Sequence, residues 1–458
     1  MEKKSVLPFA AAGGLGTKVV IIIVAGLVLL IPLHLVLGVI QERAERAQEV
    51  TREIAGKWSG PQTLRGPLLL LPADRVNPNN PQGGPMQRTY VLLPDSFTAT
   101  AETATETRSR GIFDAEIYTA KLRLSGSFSE ASFERVPVDD GWRLRPDLAT
   151  LVLGLGDPGG VQEDVSLDWG GQAVDAEPGV PAGFLNLEGL HWPVQAFAGR
   201  GEDAFEVQMT LRGSAALSLL PVGRQNNLKI AGNWRSPSFD GSALPQAQEV
   251  GGPGFSAEWR VSHLSHTLPQ RWSSFDPPPS DWQDAVVGVM FLDPVDFYRL
   301  SERSVKYGAL FIALTFLVLF LFEVLLGVAI HPVQYLLVGA ALVLFFLNLV
   351  AFAEVVGFAA AYMLSATVVA GIISLYAAAI LKRWRRAGLL FSVTAALYGL
   401  LFLVLRMEEA ALLSGSLVLL AALALTMYAT RNIDWSGFAR VPAPPPGRAG
   451  GKAEDAPA

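Results

Sequence analysis

Six apolar runs divide this chain into two kinds of sequence. Val19–Ile40 comes first, 22 residues without a full charge. Five more follow late: Gly308–Ile330, Val333–Ala353, Val355–Leu381, Ala387–Leu405 and Ala410–Ala429. About 20 apolar residues are enough to cross roughly 30 Å of hydrocarbon as a helix. The pattern therefore predicts six transmembrane helices, one N-terminal and five C-terminal. Val19–Ile40 reads as an uncleaved anchor: its apolar core exceeds a signal peptide's, and it runs without a small-x-small site into Gln41-Glu42-Arg43-Ala44-Glu45-Arg46.

Residues 41–307 are polar and rich in turn formers. Val50, Ile54 and Trp58 recur every four residues, which predicts a short helix over 41–58 ended by Ser59-Gly60-Pro61. The period then changes to two. Thr89–Leu93, Ile112–Leu124, Leu148–Leu155, Phe205–Leu219 and Asn227–Trp234 read as strands bounded by Gly, Pro, Asn and Asp. No long helical period occurs between Pro61 and Trp282. The fold class is thus an α+β membrane protein: six transmembrane helices and a large all-β, sandwich-like domain of one unit or two. The divisions are 1–18, 19–40, 41–307, 308–430 and a tail at 431–458. Asn77–Pro85 reads as a loop, Phe275–Ser280 as a stiff joint, and Val441–Ala458 as a disordered tail.

Composition sharpens this picture. Mean hydropathy is +0.34 and only 17% of residues are charged, as membrane spans require. With no cysteine, a disulfide framework, a thiolate zinc site and a Cys nucleophile are excluded. Basic residues fix the expected orientation. Lys3, Lys4 and Lys18 precede the first run; Lys382, Arg383, Arg385 and Arg386 crowd one short loop; Arg431, Arg440, Arg448 and Lys452 follow the last. With six spans all three clusters fall on one side, which the positive-inside rule makes cytoplasmic. Both termini are then cytoplasmic and residues 41–307 periplasmic. That segment holds 24 Lys and Arg against 34 Asp and Glu, a balance of −10, and the remainder carries +4. An acidic exported domain argues against nucleic-acid binding. The expected partners are the lipid bilayer and periplasmic or envelope proteins.

Candidate chemistry is sparse. Gly154-Leu155-Gly156-Asp157-Pro158-Gly159 matches the dinucleotide glycine spacing, but Asp157-Pro158-Gly159-Gly160 breaks the helix such a motif needs, so it reads as a hairpin turn. His263 and His266 lack the further ligands and second shell of a metal site. No GxSxG, Walker A or EF-hand pattern occurs; no cofactor, metal or catalytic residue is assigned, and no enzyme is expected. The unusual residue is Glu323, inside the second run and roughly 11–12 Å deep at 1.5 Å per residue. A carboxylate there must be protonated, paired or turned inward. It serves either a transport path or hydrogen-bonded glue between helices. Asn348 is a weaker intramembrane polar group. A carrier or channel using Glu323, and an envelope hydrolase or lipid-modifying enzyme sited on the exported domain, are the competing readings.

Several strings together resemble the inner membrane protein CreD family. They are Ser59-Gly60-Pro61-Gln62 with Gly66-Pro67-Leu68 and Pro72; Asn233-Trp234 with Pro237-Ser238-Phe239 and Leu244-Pro245; and Tyr298 with Arg303, Lys306 and Tyr307. Leu314-Thr315-Phe316, Phe322-Glu323, His331-Pro332-Val333-Gln334-Tyr335-Leu336-Leu337-Val338-Gly339, Gly357-Phe358 and Thr430-Arg431-Asn432-Ile433-Asp434-Trp435 complete the set, over roughly residues 17–436. The resemblance implies a bacterial inner-membrane protein under an envelope-responsive two-component system. It also implies a role in envelope integrity and in the response to β-lactam-type cell-wall stress. It carries no catalytic residues. Ser59-Gly60-Pro61 and Pro237-Ser238-Phe239 read as turns, and Thr430–Trp435 as an interfacial anchor. His331 with Pro332 is placed to cap a tight turn, and Gln334 to satisfy its freed backbone groups. The candidate functional residues are Glu323, His331 and Gln334.

Overall fold

A computed structural model describes residues 15–77, 84–162, 165–197, 201–278, 280–291, 297–326, 329–381, 384–407 and 411–431. Most of the Asn77–Pro85 loop, the Val441–Ala458 tail, and the basic residues Lys3, Lys4, Lys382, Arg383, Arg440, Arg448 and Lys452 lie outside the described residues. So does the Thr430–Trp435 string beyond Arg431. The chain forms two compact units, one of Arg46–Pro294 and one of Met1–Glu45 with Val295–Ala458.

The helices are α1 (Leu15–Trp58), α2 (Glu130–Glu134), α3 (Phe297–Lys306), α4 (Gly308–Leu326), α5 (Pro332–Val356), α6 (Phe358–Leu381), α7 (Trp384–Arg406) and α8 (Ala411–Thr430). Six of them, α1 and α4 to α8, are long and apolar enough to cross a membrane among the described residues. Two features differ from the sequence reading. The first apolar run and the helix over 41–58 form one continuous helix of 44 residues. Residues 297–306, placed by the sequence with the domain 41–307, form the short helix α3, which falls in the helical unit.

In the β unit two sheets close on one core. The first has ten strands among the described residues, ordered Pro237–Gly241, Val287–Phe291, Ala216–Leu219, Gln62–Arg75, Ala149–Gly154, Gly189–Val194 and Glu177–Pro178. Met86–Leu92, Arg143–Leu144 and Arg271–Ser273 attach beside that row. The second has eight, ordered Ala247–Gly251, Gly254–Ser262, Gln225–Gly232, Ser96–Arg110, Phe113–Ser129, Glu202–Ser214, Ser166–Trp169 and Gln172–Val174. Alternate residues of the second sheet point inward, as in Phe97, Ala99 and Ala101 or Phe205, Val207 and Met209. They share a single buried cluster with Leu68–Leu71, Leu151 and Leu153 of the first sheet. The β unit is therefore one sandwich, not two.

Three local readings need correction. Phe205–Leu219 is not one strand: it breaks at Ala215, whose φ is 59°, where the chain leaves the second sheet for the first. Pro237-Ser238-Phe239 is not a turn but the start of an edge strand paired with Val287–Phe291. An edge tolerates the missing proline N–H, which no neighbour requires. The 154–159 segment is not a hairpin turn either. It carries the chain from Ala149–Gly154 in one sheet to Ser166–Trp169 in the other, through a short 3-10 turn at Pro158–Gly160.

Asp157 organises that crossover. One carboxylate oxygen accepts from the Gly60 N–H at 2.8 Å and the Ser59 hydroxyl at 2.9 Å, the other from the Gly159 N–H at 2.9 Å. Gln62, fully buried, donates to the Asp157 and Arg212 carbonyls and accepts from the Asp157 N–H. A side chain at Gly160 would strike the Arg212 carbonyl, Gln62 and Ser59. The last turns of α1 dock beside it. Thr51 donates to the Asp114 carbonyl at 3.1 Å, Trp58 donates to the Tyr118 carbonyl at 3.3 Å, and Arg212 stacks on the Trp58 ring.

Candidate functional site

Glu323 is completely buried one turn before the end of α4. It lies closer to that end than the sequence implied, because Ile330 is outside the helix, which is described as far as Leu326. Three partners saturate its carboxylate. Lys18 on α1 donates to Oε1 and forms an ion pair with it. Tyr335 on α5 donates its hydroxyl to Oε2 at 3.0 Å, and the Ile330 N–H reaches Oε1 at 3.2 Å. A buried carboxylate with a cation and two neutral donors has the partners that a low-dielectric site demands.

His331 and Gln334 act on the adjoining helix terminus. His331 Nδ1 accepts from the Val333 N–H at 3.3 Å, and Gln334 Oε1 accepts from the His331 N–H at 2.8 Å. With Pro332 in the first turn this is a reciprocal capping box on α5. The cap fixes the start of α5 and so the approach of Ile330 and Tyr335 to Glu323. Gln334 also lines an apolar cavity of about 20 Å³ with Leu319, Ile330, Val338, Ile373 and Leu390. Glu323 does not line it. Asn348 is half-buried farther along α5.

A second ion pair stands at the opposite end of α5. Arg43 on α1 grips Glu354 with both ends of its guanidinium, at 2.8 and 2.5 Å, and Tyr298 on α3 donates to the same carboxylate at 3.0 Å. The two clusters fix the helix directions. The start of α1 meets the end of α4 and the start of α5, while residue 43 meets the end of α5. Helices α1 and α5 are therefore parallel, and α4 runs against both. Between the clusters, Leu29 and Phe316 pack on Gly339, where a methyl group would overlap Leu29, and Leu33 and Phe346 pack closely on Gly308.

Sequence reasoning found Glu323 but missed Lys18, Tyr335, Arg43 and Tyr298. Lys18 was read only as part of the basic flank. The signal was available: a carboxylate inside one span needs a cation at the matching end of another, and Lys18 stands immediately before the first apolar run. The remaining candidates are not brought to this site. His263 Nδ1 lies 3.2 Å from the Arg224 carbonyl in the β unit, and burial lowers the His266 pKa. Among the described residues no group of three or more His, Asp and Glu side chains is placed to hold a metal ion.

Comparison with known proteins agrees with this architecture. The family model described as inner membrane protein CreD matches residues 14–436. Inner membrane protein CreD of Escherichia coli (strain K12) is 33% identical over 420 residues, which cover 90% of this chain and 92% of that protein. With a family match along nearly its whole length and six helices able to span a bilayer, the chain belongs to the CreD family of multi-pass inner membrane proteins.

Proposed function

We propose that this protein is a non-enzymatic anchor of the cell envelope. It holds both termini in the cytoplasm, presents the β unit to periplasmic partners and supports the envelope under cell-wall stress. The carrying observation is the saturation of Glu323. A carrier needs an intramembrane carboxylate that can exchange its ligand, whereas Lys18, Tyr335 and the Ile330 amide occupy both oxygens here. Both ion pairs join α1 to the later helices, which is what a stable anchor requires. The acidic balance of residues 41–307 favours a protein or polar surface as partner over anionic lipid. The link to cell-wall stress rests on the resemblance stated above.

The test removes the charges together. In a strain that depends on this chain for survival under cell-wall stress, the pair Lys18→Met with Glu323→Leu is expected to keep wild-type membrane levels and survival within about twofold, since an apolar pair can replace a buried ion pair. Loss of survival with full-length folded protein in the membrane would sink the anchor reading and favour a carrier. In-cell crosslinking from the β unit should capture the same envelope protein reproducibly; capture of none is the adverse result for partner presentation.

A further inference from the structure

At one corner of the β sandwich three arginines gather around one serine. Ser132, in α2, accepts from Arg271 Nη1 at its carbonyl (3.4 Å) and from Arg135 Nη2 at its hydroxyl (3.5 Å). The same hydroxyl donates to Asp95 Oδ1 at 2.7 Å. Arg224 Nε stands 4.0 Å from that oxygen, too far for a hydrogen bond. Backbone pairing holds the contributing segments in place: the Arg224 N–H donates to the Pro94 carbonyl at 2.9 Å, and the Leu93 N–H to the Gln270 carbonyl at 3.0 Å.

The donors at this corner are not all matched by acceptors. Asp95 already accepts from the Ser129 N–H, the Ser129 hydroxyl and the Ser132 hydroxyl, at 2.9, 2.6 and 2.7 Å. Three guanidinium groups thus gather about Ser132 and Asp95, and Asp95 is the carboxylate within that contact set. Glu130 and Glu134 on α2 stand exposed, and neither is a partner of the three arginines among the described residues. Two buried donors, Arg224 Nε and Gln270 Nε2, make no hydrogen bond among the described residues. An incoming oxyanion would satisfy such donors, and a guanidinium fork fits phosphate oxygens in pairs. The Arg224 side chain is 39% exposed, so the corner is open to solvent.

We propose that this corner binds a phosphate group. Arg224, Arg271 and Arg135 supply the charge, and Asp95 and Ser132 position the guanidiniums. The negative charge of a phosphate group complements the gathered guanidiniums. Such a group reaches the site either as a free phosphate or on a lipid headgroup, and the same three arginines would read both.

The experiment uses the full-length chain in neutral detergent micelles. Its unfolding transition is followed by tryptophan fluorescence during titration with inorganic phosphate, and separately with dihexanoyl phosphatidic acid, each against chloride at equal ionic strength. The wild type should be stabilised saturably. Arg224→Gln with Arg271→Gln should weaken the apparent affinity at least about tenfold, as expected for loss of charge-assisted bonds. Arg135→Gln, at an exposed position, gives the same direction of change if the double variant does not fold. A response to both probes supports the site with free phosphate sufficient; a response to the lipid alone supports it with the headgroup as source. No saturable response to either probe, or an unchanged response in the arginine variants, overturns the proposal.

Discussion

Glu323 and Asp157 show how differently two carboxylates act in this chain. Glu323 is held by a cation, so removing one partner costs the other that pairing. Glu323→Gln removes the charge paired with the largely buried Lys18 ammonium, and the expected loss is about 2–4 kcal/mol of stability. A thermal scan in detergent should show it as a lowered midpoint, recovered when Lys18→Met is added; equal midpoints for wild type and Glu323→Gln would refute the pairing. Asp157 has no cation partner among the described residues. The Gly60 amide, the Ser59 hydroxyl and the Gly159 amide hold its carboxyl below the ordinary value of 3.8, against the opposing effect of burial. Because the folded pKa is the lower one, its stabilisation is present above about pH 4 and is lost as the pH falls through the folded value. Asp157→Asn should therefore cost about 1–2 kcal/mol at pH 7 and progressively less below pH 4. Urea unfolding followed by tryptophan fluorescence at pH 7 and pH 3 measures the difference; a gap between variant and wild type that does not shrink in acid would refute the argument.

At the level of elements, legibility followed side-chain size. The six apolar helices were plain because length and hydrophobicity alone define them. Within the sandwich, Phe113–Ser129, Ala149–Gly154 and Glu202–Ser214 were visible because large apolar residues mark their inner faces. Ser96–Arg110 escaped notice, since Ala99, Ala101 and Thr103 give its inner face little contrast against the outward Thr and Glu. Gln62–Arg75 escaped for the opposite reason: Leu68–Leu71 are all buried, so the period of two disappears. Its parallel pairing with Ala216–Leu219, and that of Ser96–Arg110 with Gln225–Gly232, joins segments too distant in sequence for local pattern to show. The candidate site was half legible on the same grounds: Glu323 contrasts with its span, whereas Lys18 and Tyr335 look ordinary where they stand. Helix packing offers a direct check. A methyl group at Gly339 would run into Leu29 of α1, so Gly339→Ala should destabilise the helical unit by about 1–3 kcal/mol. Leu29→Ala in the same chain opens the space and should restore most of that loss. If the two changes simply add in a thermal-scan cycle, the contact does not have the energetic role assigned to it.

For the molecule as a whole, the side-chain contacts and the basic residues constrain topology independently. The Lys18–Glu323 and Arg43–Glu354 pairs make α1 parallel to α5 and antiparallel to α4, so the polar stretch between α1 and α4 leaves and re-enters on one side. Four further crossings follow from α5 to α8, which puts Lys18, Arg385 with Arg386 at the start of α7, and Arg431 on the opposite side together. The ion pairs alone do not say which side is cytoplasmic; the positive-inside rule assigns that side to the lysines and arginines, an expectation that reporter fusions test. Alkaline phosphatase fused after Gly84 should therefore be active, and the same reporter after Arg386 inactive, with a cytoplasm-only reporter giving the reverse. Equal activity at the two positions would contradict the antiparallel arrangement of α1 and α4. Reversed activities would keep that arrangement but invert the molecule, placing the β unit in the cytoplasm. That second outcome would remove the basis for periplasmic partners while leaving both ion pairs intact, so the fusions separate the architecture of the membrane unit from the use the cell makes of it.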